Sequence, residues 1–167
     1  MDPLHVFFFQ FGASLVVLGL VAAWFAWPLL ARLPPERAAM WLVAPFLFRH
    51  IGATTLVVGV VTAEYSTRAA WIVTVGDAAS VVLAVASIAL LRRRSPLAWP
   101  MLWVFTAENL GYCLALVLLE GFGALVDGIG AHWYVGTFYV PIMLVSQAVL
   151  LVVLARRRRW STAPAAA

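Results

Sequence analysis

Five long apolar runs, separated by short polar breaks, set the pattern of this chain. A membrane-crossing helix needs roughly 20 predominantly apolar residues, and each run reaches that length. A transmembrane β-barrel would instead show alternating segments of about 10 residues, so only helices fit as the spanning structure. The pattern predicts an all-α integral membrane bundle of five transmembrane helices, with spans at about 4–31, 38–63, 69–91, 97–119 and 132–155.

The polar breaks carry residues that end helices. Pro34 and Pro35 follow the first run, and Pro96 lies in the third break. Proline lacks a backbone donor and restrains its neighbour, which makes it a frequent helix boundary. Gly128 and Gly130 precede the last run. The sequence therefore predicts a single five-helix transmembrane domain over 1–160, followed by a disordered tail over 161–167.

Composition supports the membrane class and excludes others. The chain is 65% hydrophobic and 11% charged, which is far too apolar for an ordinary water-soluble domain. Its 11 basic residues are all arginines, and most of them flank the apolar runs instead of forming a basic face. This arrangement is typical of membrane orientation and argues against nucleic-acid binding. Cys113 is the single cysteine, so the sequence offers no disulfide framework.

The flanking arginines also predict an orientation. Nine of the ten fall on one side of the predicted bundle, and Arg68 alone falls on the other. The positive-inside rule assigns the arginine-rich side to the cytoplasm, which places the N-terminus outside and the C-terminus inside. The nine residues on the predicted cytoplasmic side are Arg32, Arg37, Arg92, Arg93, Arg94, Arg156, Arg157, Arg158 and Arg159.

The second and fourth runs share a short pattern. Arg49-His50-Ile51-Gly52 in one matches Glu108-Asn109-Leu110-Gly111 in the other, as charged, polar, aliphatic and glycine positions. Each of these runs leads into a partner run that ends in arginines. The match suggests a parallel repeat of helices 2–3 and 4–5 about an axis normal to the membrane.

Three ionisable residues, Arg49, Asp77 and Glu108, lie inside otherwise apolar runs. Each costs at least about 2.5–3.5 kcal/mol at the centre of a spanning helix, so each needs a partner or a function. An α-helical rise puts Arg49 and Glu108 at nearly the same depth, so we expect them to face each other. Asp77 is expected roughly 6–9 Å closer to the outside, where Tyr112 and Tyr139 could donate to it.

These residues have two interpretations. The pair is either a structural ion pair that holds the bundle together or a ligand, proton or cation site. One arginine with two carboxylates leaves one negative charge, which a proton, a cation or a cationic ligand would balance. The candidate site comprises Arg49, Asp77, Glu108, His50, Asn109, Tyr112, Tyr139 and Gln147. Enzyme signatures and metal-binding motifs are missing from the sequence, so no catalytic residue, metal or cofactor is expected.

Several short motifs resemble a known group of proteins. They are the run from Phe46 to Gly52, Gly76-Asp77, Trp103-Val104-Phe105, and Tyr139-Val140-Pro141 through Gln147. Together they resemble a group of small bacterial multipass inner-membrane proteins that is itself uncharacterised. The resemblance implies a bacterial inner-membrane setting and supplies no function.

Three functions remain open on the sequence alone. The first is proton- or cation-linked transport or small-ligand binding at the buried charges. The second is an accessory or assembly subunit of a larger membrane complex, because five helices enclose little pathway unless the chain forms a homo-oligomer. The third is an enzyme that acts on a lipid-phase substrate with a carboxylate as general acid.

Overall fold

The structure, a computed structural model, describes residues 2–161, apart from the side chains of 124 and 157–161. The described chain is all-helical. A 3₁₀ helix, Ala44–Leu56, continues directly from the α-helix Pro35–Val43, and a π-helical turn, Val135–Tyr139, leads into the α-helix Val140–Ser161. The predicted tail lies outside the described residues except for Ser161, at which this last helix ends. The α-helices are α1 (Pro3–Leu30), α2 (Pro35–Val43), α3 (Thr67–Arg92), α4 (Ala98–Val126) and α5 (Val140–Ser161).

Four helical segments of the described chain are long and apolar enough to cross a membrane, which indicates a membrane protein. The second apolar run is not among them, although the sequence predicts five spans. It forms the short α2 and the 3₁₀ helix, and after Leu56 the backbone leaves the helix. The four segments are Pro3–Leu30, Thr67–Arg92, Ala98–Gly123 and Gly130–Arg156.

Two local features accompany the change from an α-helix to a 3₁₀ helix in the second run. Pro45 lacks the backbone donor that would continue the α-helical ladder of α2. Further along, the hydroxyls of Thr54 and Thr55 donate to the carbonyls of Ile51 and Gly52, at 2.7 and 2.8 Å. Each bond reaches back three residues, which is the spacing of a 3₁₀ turn.

Two prolines shape the other helices. A π-helical turn, Ala22–Ala26, ends two residues before Pro28, and the turn before α5 ends two residues before Pro141. Proline cannot donate to the carbonyl four residues earlier, and its ring displaces that carbonyl, so the preceding turn widens. Each of these two prolines is therefore preceded by a π-helical turn.

One half of the bundle is filled by a hydrophobic core, and the other half, called the hollow half below, encloses a cavity. α3 packs against both the 3₁₀ helix and α4, while α5 packs against α1 and α2. A hydrophobic core fills the end of the bundle at which α1, α3 and α5 finish, and the rings of Phe46 and Phe105 meet edge to face at its inner limit. The core consists chiefly of Ala39, Leu42, Val43, Phe46, Ala84, Leu91, Trp99, Leu102, Phe105, Met143, Leu150 and Leu154.

The predicted repeat finds no support in the structure. Arg49-His50-Ile51-Gly52 lies on a 3₁₀ helix, whereas Glu108-Asn109-Leu110-Gly111 lies on the regular α-helix α4. Equal spacing in the sequence therefore does not give equal depth or equal facing in the two runs.

Candidate functional site

The centre of the bundle holds a buried ion pair between Arg49 and Asp77. Nε of Arg49 donates to Oδ1 of Asp77 at 2.7 Å, and Nη1 donates to Oδ1 of Asn109. The guanidinium also lies over the ring of Tyr112, 4.8 Å from its centroid. Arg49, Asp77 and Asn109 are all buried. The arginine thus joins the 3₁₀ helix to α3 and α4 through charge-assisted hydrogen bonds.

The predicted Arg49–Glu108 pair is wrong, because Arg49 makes its ion pair with Asp77. Glu108 is partly exposed and accepts a hydrogen bond from Ser80 Oγ at 2.9 Å. The depth estimate assumed a rise of 1.5 Å per residue, whereas a 3₁₀ helix rises about 2.0 Å. Over the six residues from Ala44 to Arg49 this difference carries the arginine about 3 Å further, toward Asp77.

Two glycines make room for this pair. A Cβ added at Gly52 would lie 1.8 Å from Oδ2 of Asp77, so the carboxylate occupies the space of a missing side chain. A Cβ at Gly76 would lie 2.3 Å from the ring of Tyr112. Neither glycine has the positive φ that favours glycine in a turn. Glycine is therefore required at both positions because of the space that it leaves, not because of its backbone conformation.

The buried residues of the 3₁₀ helix recur with a period of three. Phe46, Arg49, Gly52 and Thr55 are the buried residues of the 3₁₀ helix. In a helix with three residues per turn, such positions lie directly above one another on one face. The 3₁₀ geometry therefore places Gly52 on the same face as Arg49, and because these four residues share no residue class, the sequence pattern did not show this.

A short polar chain continues from the pair to Glu108. The hydroxyl of Ser80 lies 3.3 Å from Oδ1 of Asn109 as well as 2.9 Å from Glu108, so its single proton is shared between the two acceptors. Nδ2 of Asn109 donates to the carbonyl of Phe105 at 2.8 Å. The side chain of Asn109 is thereby fixed with its oxygen toward Arg49.

A cavity of about 290 Å³ opens beside the ion pair, in the hollow half of the bundle. Most of its lining is apolar, and it runs between α1, α4 and α5, with Phe122, Leu125 and Ile129 toward its far end. Volume and lining fall near the lower end of the range for small-molecule sites. Six of the eight predicted site residues line it: Arg49, Asp77, Asn109, Tyr112, Tyr139 and Gln147.

The other two predicted residues lie outside the cavity lining. His50 is exposed, and its ring nitrogen Nδ1 lies 3.1 Å from the carbonyl oxygen of Leu47. Glu108 faces Ser80, as described above. Tyr139 does line the cavity, but its hydroxyl donates to the carbonyl of Pro45 instead of Asp77.

Two buried polar atoms in the cavity lining have no hydrogen-bond partner. Gln147 is 3% exposed; its Nε2 donates to Thr106 Oγ1 at 2.9 Å, while its Oε1 is unpaired. His132 is 7% exposed; its Nδ1 lies 3.2 Å from Thr54 Oγ1, while its Nε2 is unpaired. Buried polar atoms in proteins are nearly always satisfied, so each of these atoms calls for a partner. Sequence reasoning did not include His132 or Thr106 in the site, because neither lies in a recognisable motif.

Within the described residues, no group of three or more His, Cys, Asp or Glu side chains is placed to hold a metal ion. A family model described as "Domain of unknown function (DUF8737)" matches residues 6–155. No curated protein and no solved structure matches the chain.

Proposed function

We propose that this chain, which belongs to the DUF8737 family of unknown function, binds a small, mainly apolar molecule taken from the lipid phase. The binding site is the cavity beside the Arg49–Asp77 pair. We further propose that the protein lies in a bacterial inner membrane, with its N-terminus outside and its C-terminus in the cytoplasm. The positive-inside rule supports this orientation, since α1, α3 and α5 all finish at the arginine-rich end.

The observation that carries the proposal is the cavity together with its two unpaired polar atoms. A site for a small molecule is typically an apolar hollow with a few polar groups that fix orientation. Here the polar groups are held rigidly: Arg49 by Asp77 and Asn109, and Gln147 by Thr106. A preformed site of this kind loses little conformational entropy when a ligand enters.

The charges favour ligand binding over cation transport. A cation pathway needs a carboxylate that is not already compensated. Asp77 is compensated by Arg49 at 2.7 Å, and Glu108, which carries the remaining negative charge, does not line the cavity. Proton- or cation-linked transport therefore stays a weaker prediction, which an Asp77→Asn variant in a flux assay would test.

We also propose that α2 and the 3₁₀ helix together form the fifth membrane crossing. Nine residues at 1.5 Å and 13 at 2.0 Å give about 40 Å, more than the ~30 Å of a hydrocarbon core. Arg49 is the only ionisable residue that is both well inside this segment and buried, and it is paired with Asp77. Cysteine labelling at both ends of this segment, from each side of the membrane, tests the crossing.

The test of binding uses purified protein in lipid nanodiscs and 1-dodecanol as the probe. We expect the thermal unfolding temperature to rise with probe concentration and then to saturate, because a ligand that binds only the folded state stabilises it. Leu116→Trp, which fills the cavity, should abolish the saturable rise. Leu114→Trp, an equal change at an exposed position of the same helix, should keep it. Absence of saturation in the native chain, or an unchanged response in Leu116→Trp, would refute the proposal.

Two alternatives make separate predictions. An accessory or assembly subunit would co-purify with partners at fixed stoichiometry, and a homo-oligomer would show a multiple of the chain mass in detergent. An enzyme that acts on a lipid-phase substrate would turn over lipid as purified protein. Saturable binding of the probe, without lipid turnover and without partners at fixed stoichiometry, distinguishes the proposed function from both alternatives.

A further inference from the structure

We infer that the ligand is a neutral, single-chain molecule whose terminal hydroxyl donates a hydrogen bond to Oε1 of Gln147. The inference rests on the proposed function, since it names the chemical class that the same cavity would take. Long-chain alcohols, prenyl alcohols and monoacylglycerols share this chemistry.

The side-chain amide of Gln147 has one bonded atom and one unpaired atom. Its side chain is 3% exposed and lines the cavity, and its amide nitrogen is already engaged by Thr106. The remaining oxygen is an acceptor with no donor among the described residues. In the low-dielectric interior of a membrane protein such an acceptor is costly to leave unpaired, so it favours an occupant that brings a donor.

The second unpaired atom of the lining is also an acceptor. The Thr54 hydroxyl donates its proton to the carbonyl of Ile51 at 2.7 Å, so toward His132 it can only accept. The His132 Nδ1 must therefore carry the proton, and in the neutral ring this leaves Nε2 as an acceptor. Both unpaired atoms thus call for hydrogen-bond donors on whatever occupies the cavity.

The charges around the cavity make a neutral occupant the best fit. Arg49 and Asp77 compensate each other, and Glu108 is not in the lining. An ammonium or carboxylate on the ligand would then be a buried charge without a counter-charge, which is strongly unfavourable. A hydroxyl provides the donor without the charge.

The shape of the cavity suits a chain. Its lining follows one face of the last helical segment from Ile129 through His132, Gly136 and Tyr139 to Gln147. Gln147 lies 18 residues after Ile129, which corresponds to roughly 27 Å of helix, so the lining is long for a cavity of about 290 Å³. An extended alkyl or prenyl chain fits this shape better than a fused-ring molecule does.

The test compares 1-dodecanol with its methyl ether, which keeps the chain and the oxygen but has no donor. We expect the native chain to bind the alcohol at least tenfold more tightly than the ether. The measure is the probe concentration at the midpoint of the rise in unfolding temperature. The preference should fall to near unity in Gln147→Leu and in Gln147→Met, which removes the amide at similar length. Gln10→Leu, the same change at an exposed position outside the cavity lining, should retain the preference.

The outcomes separate the two proposals. Equal binding of alcohol and ether by the native chain would overturn the inference while leaving the cavity as a binding site. A preference that survives in both Gln147 variants would also overturn it, because the donor would then be accepted elsewhere. If neither probe binds saturably, the proposed function itself fails.

Discussion

Replacing Gly52 by alanine tests directly whether the Arg49–Asp77 pair depends on the space that this glycine leaves. The new Cβ would lie 1.8 Å from Oδ2 of Asp77, and ordinary contact begins at 3.4 Å. The difference, 3.4 − 1.8 = 1.6 Å, is the distance by which the carboxylate must move. A shift of that size breaks the 2.7 Å bond between Arg49 and Asp77.

The expected cost follows from two opposing effects. Breaking a buried ion pair destabilises a protein by about 3–5 kcal/mol, because an uncompensated charge remains inside. Alanine is intrinsically better than glycine in a helix by about 0.5–1 kcal/mol, which offsets part of that loss. We therefore expect Gly52→Ala to lower the free energy of unfolding by about 2–4 kcal/mol.

The assay is reversible unfolding in mixed micelles, with Gly111→Ala as the matched control. Gly111 lies in α4, and a Cβ there would meet nothing within 4 Å, so its substitution should be neutral or slightly stabilising. In an Arg49→Met/Asp77→Ala background, where both charges are gone, Gly52→Ala should cost little. A cost at Gly52 no larger than at Gly111, or one that persists in the charge-free background, would show that the ion pair does not depend on the space at Gly52.

Three further predictions concern single contacts. Tyr139→Phe should lower the free energy of unfolding by about 1 kcal/mol in the same micelle assay, because it removes the bond to the start of the 3₁₀ helix; no change would contradict this. Gly121→Ala should cost about 1–3 kcal/mol, since Gly121 has φ +73° and ψ 153°, whereas Gly123→Ala, which meets nothing within 4 Å, should cost little. A hydrogen bond from the Thr62 hydroxyl lowers the pKa of Glu64 below its usual 4.5. The stability from this contact is therefore present above pH 4.5 and is lost as the pH falls. An NMR titration should show the lowered pKa in the native chain and a rise toward 4.5 in Thr62→Val.

Much of the architecture could be predicted from the apolar pattern, whereas the second run could not. Hydropathy and proline positions predict five long helices, because lipid leaves a helix as the main way to satisfy the backbone, and four of the five runs form them in the described residues. In the second run a 3₁₀ helix begins next to Pro45, and near its end the hydroxyls of Thr54 and Thr55 donate to carbonyls three residues back. Such side-chain competition with the backbone is local, and a hydropathy pattern does not contain it.

The burial of Arg49 and Asp77 could be predicted from the sequence, but their pairing could not. Arg49 and Asp77 were expected inside the bundle because a charge at membrane depth needs a partner, and both are buried. The partner of Arg49 depended on its depth, and depth depended on the helix type of the second run. The cavity and the unpaired oxygen of Gln147 arise from packing between helices that are distant in sequence, which periodicity alone does not specify.

The 3₁₀ helix changes how scanning mutagenesis of this segment has to be interpreted. On an α-helical wheel, about 100° per residue, Thr55 falls on the opposite side from Phe46, nine residues earlier. At about 120° per residue the two positions coincide, and both are buried. A cysteine-accessibility scan from 46 to 55 should therefore show protection at every third position, whereas a wheel drawn for an α-helix would place Gly52 and Thr55 away from the buried face.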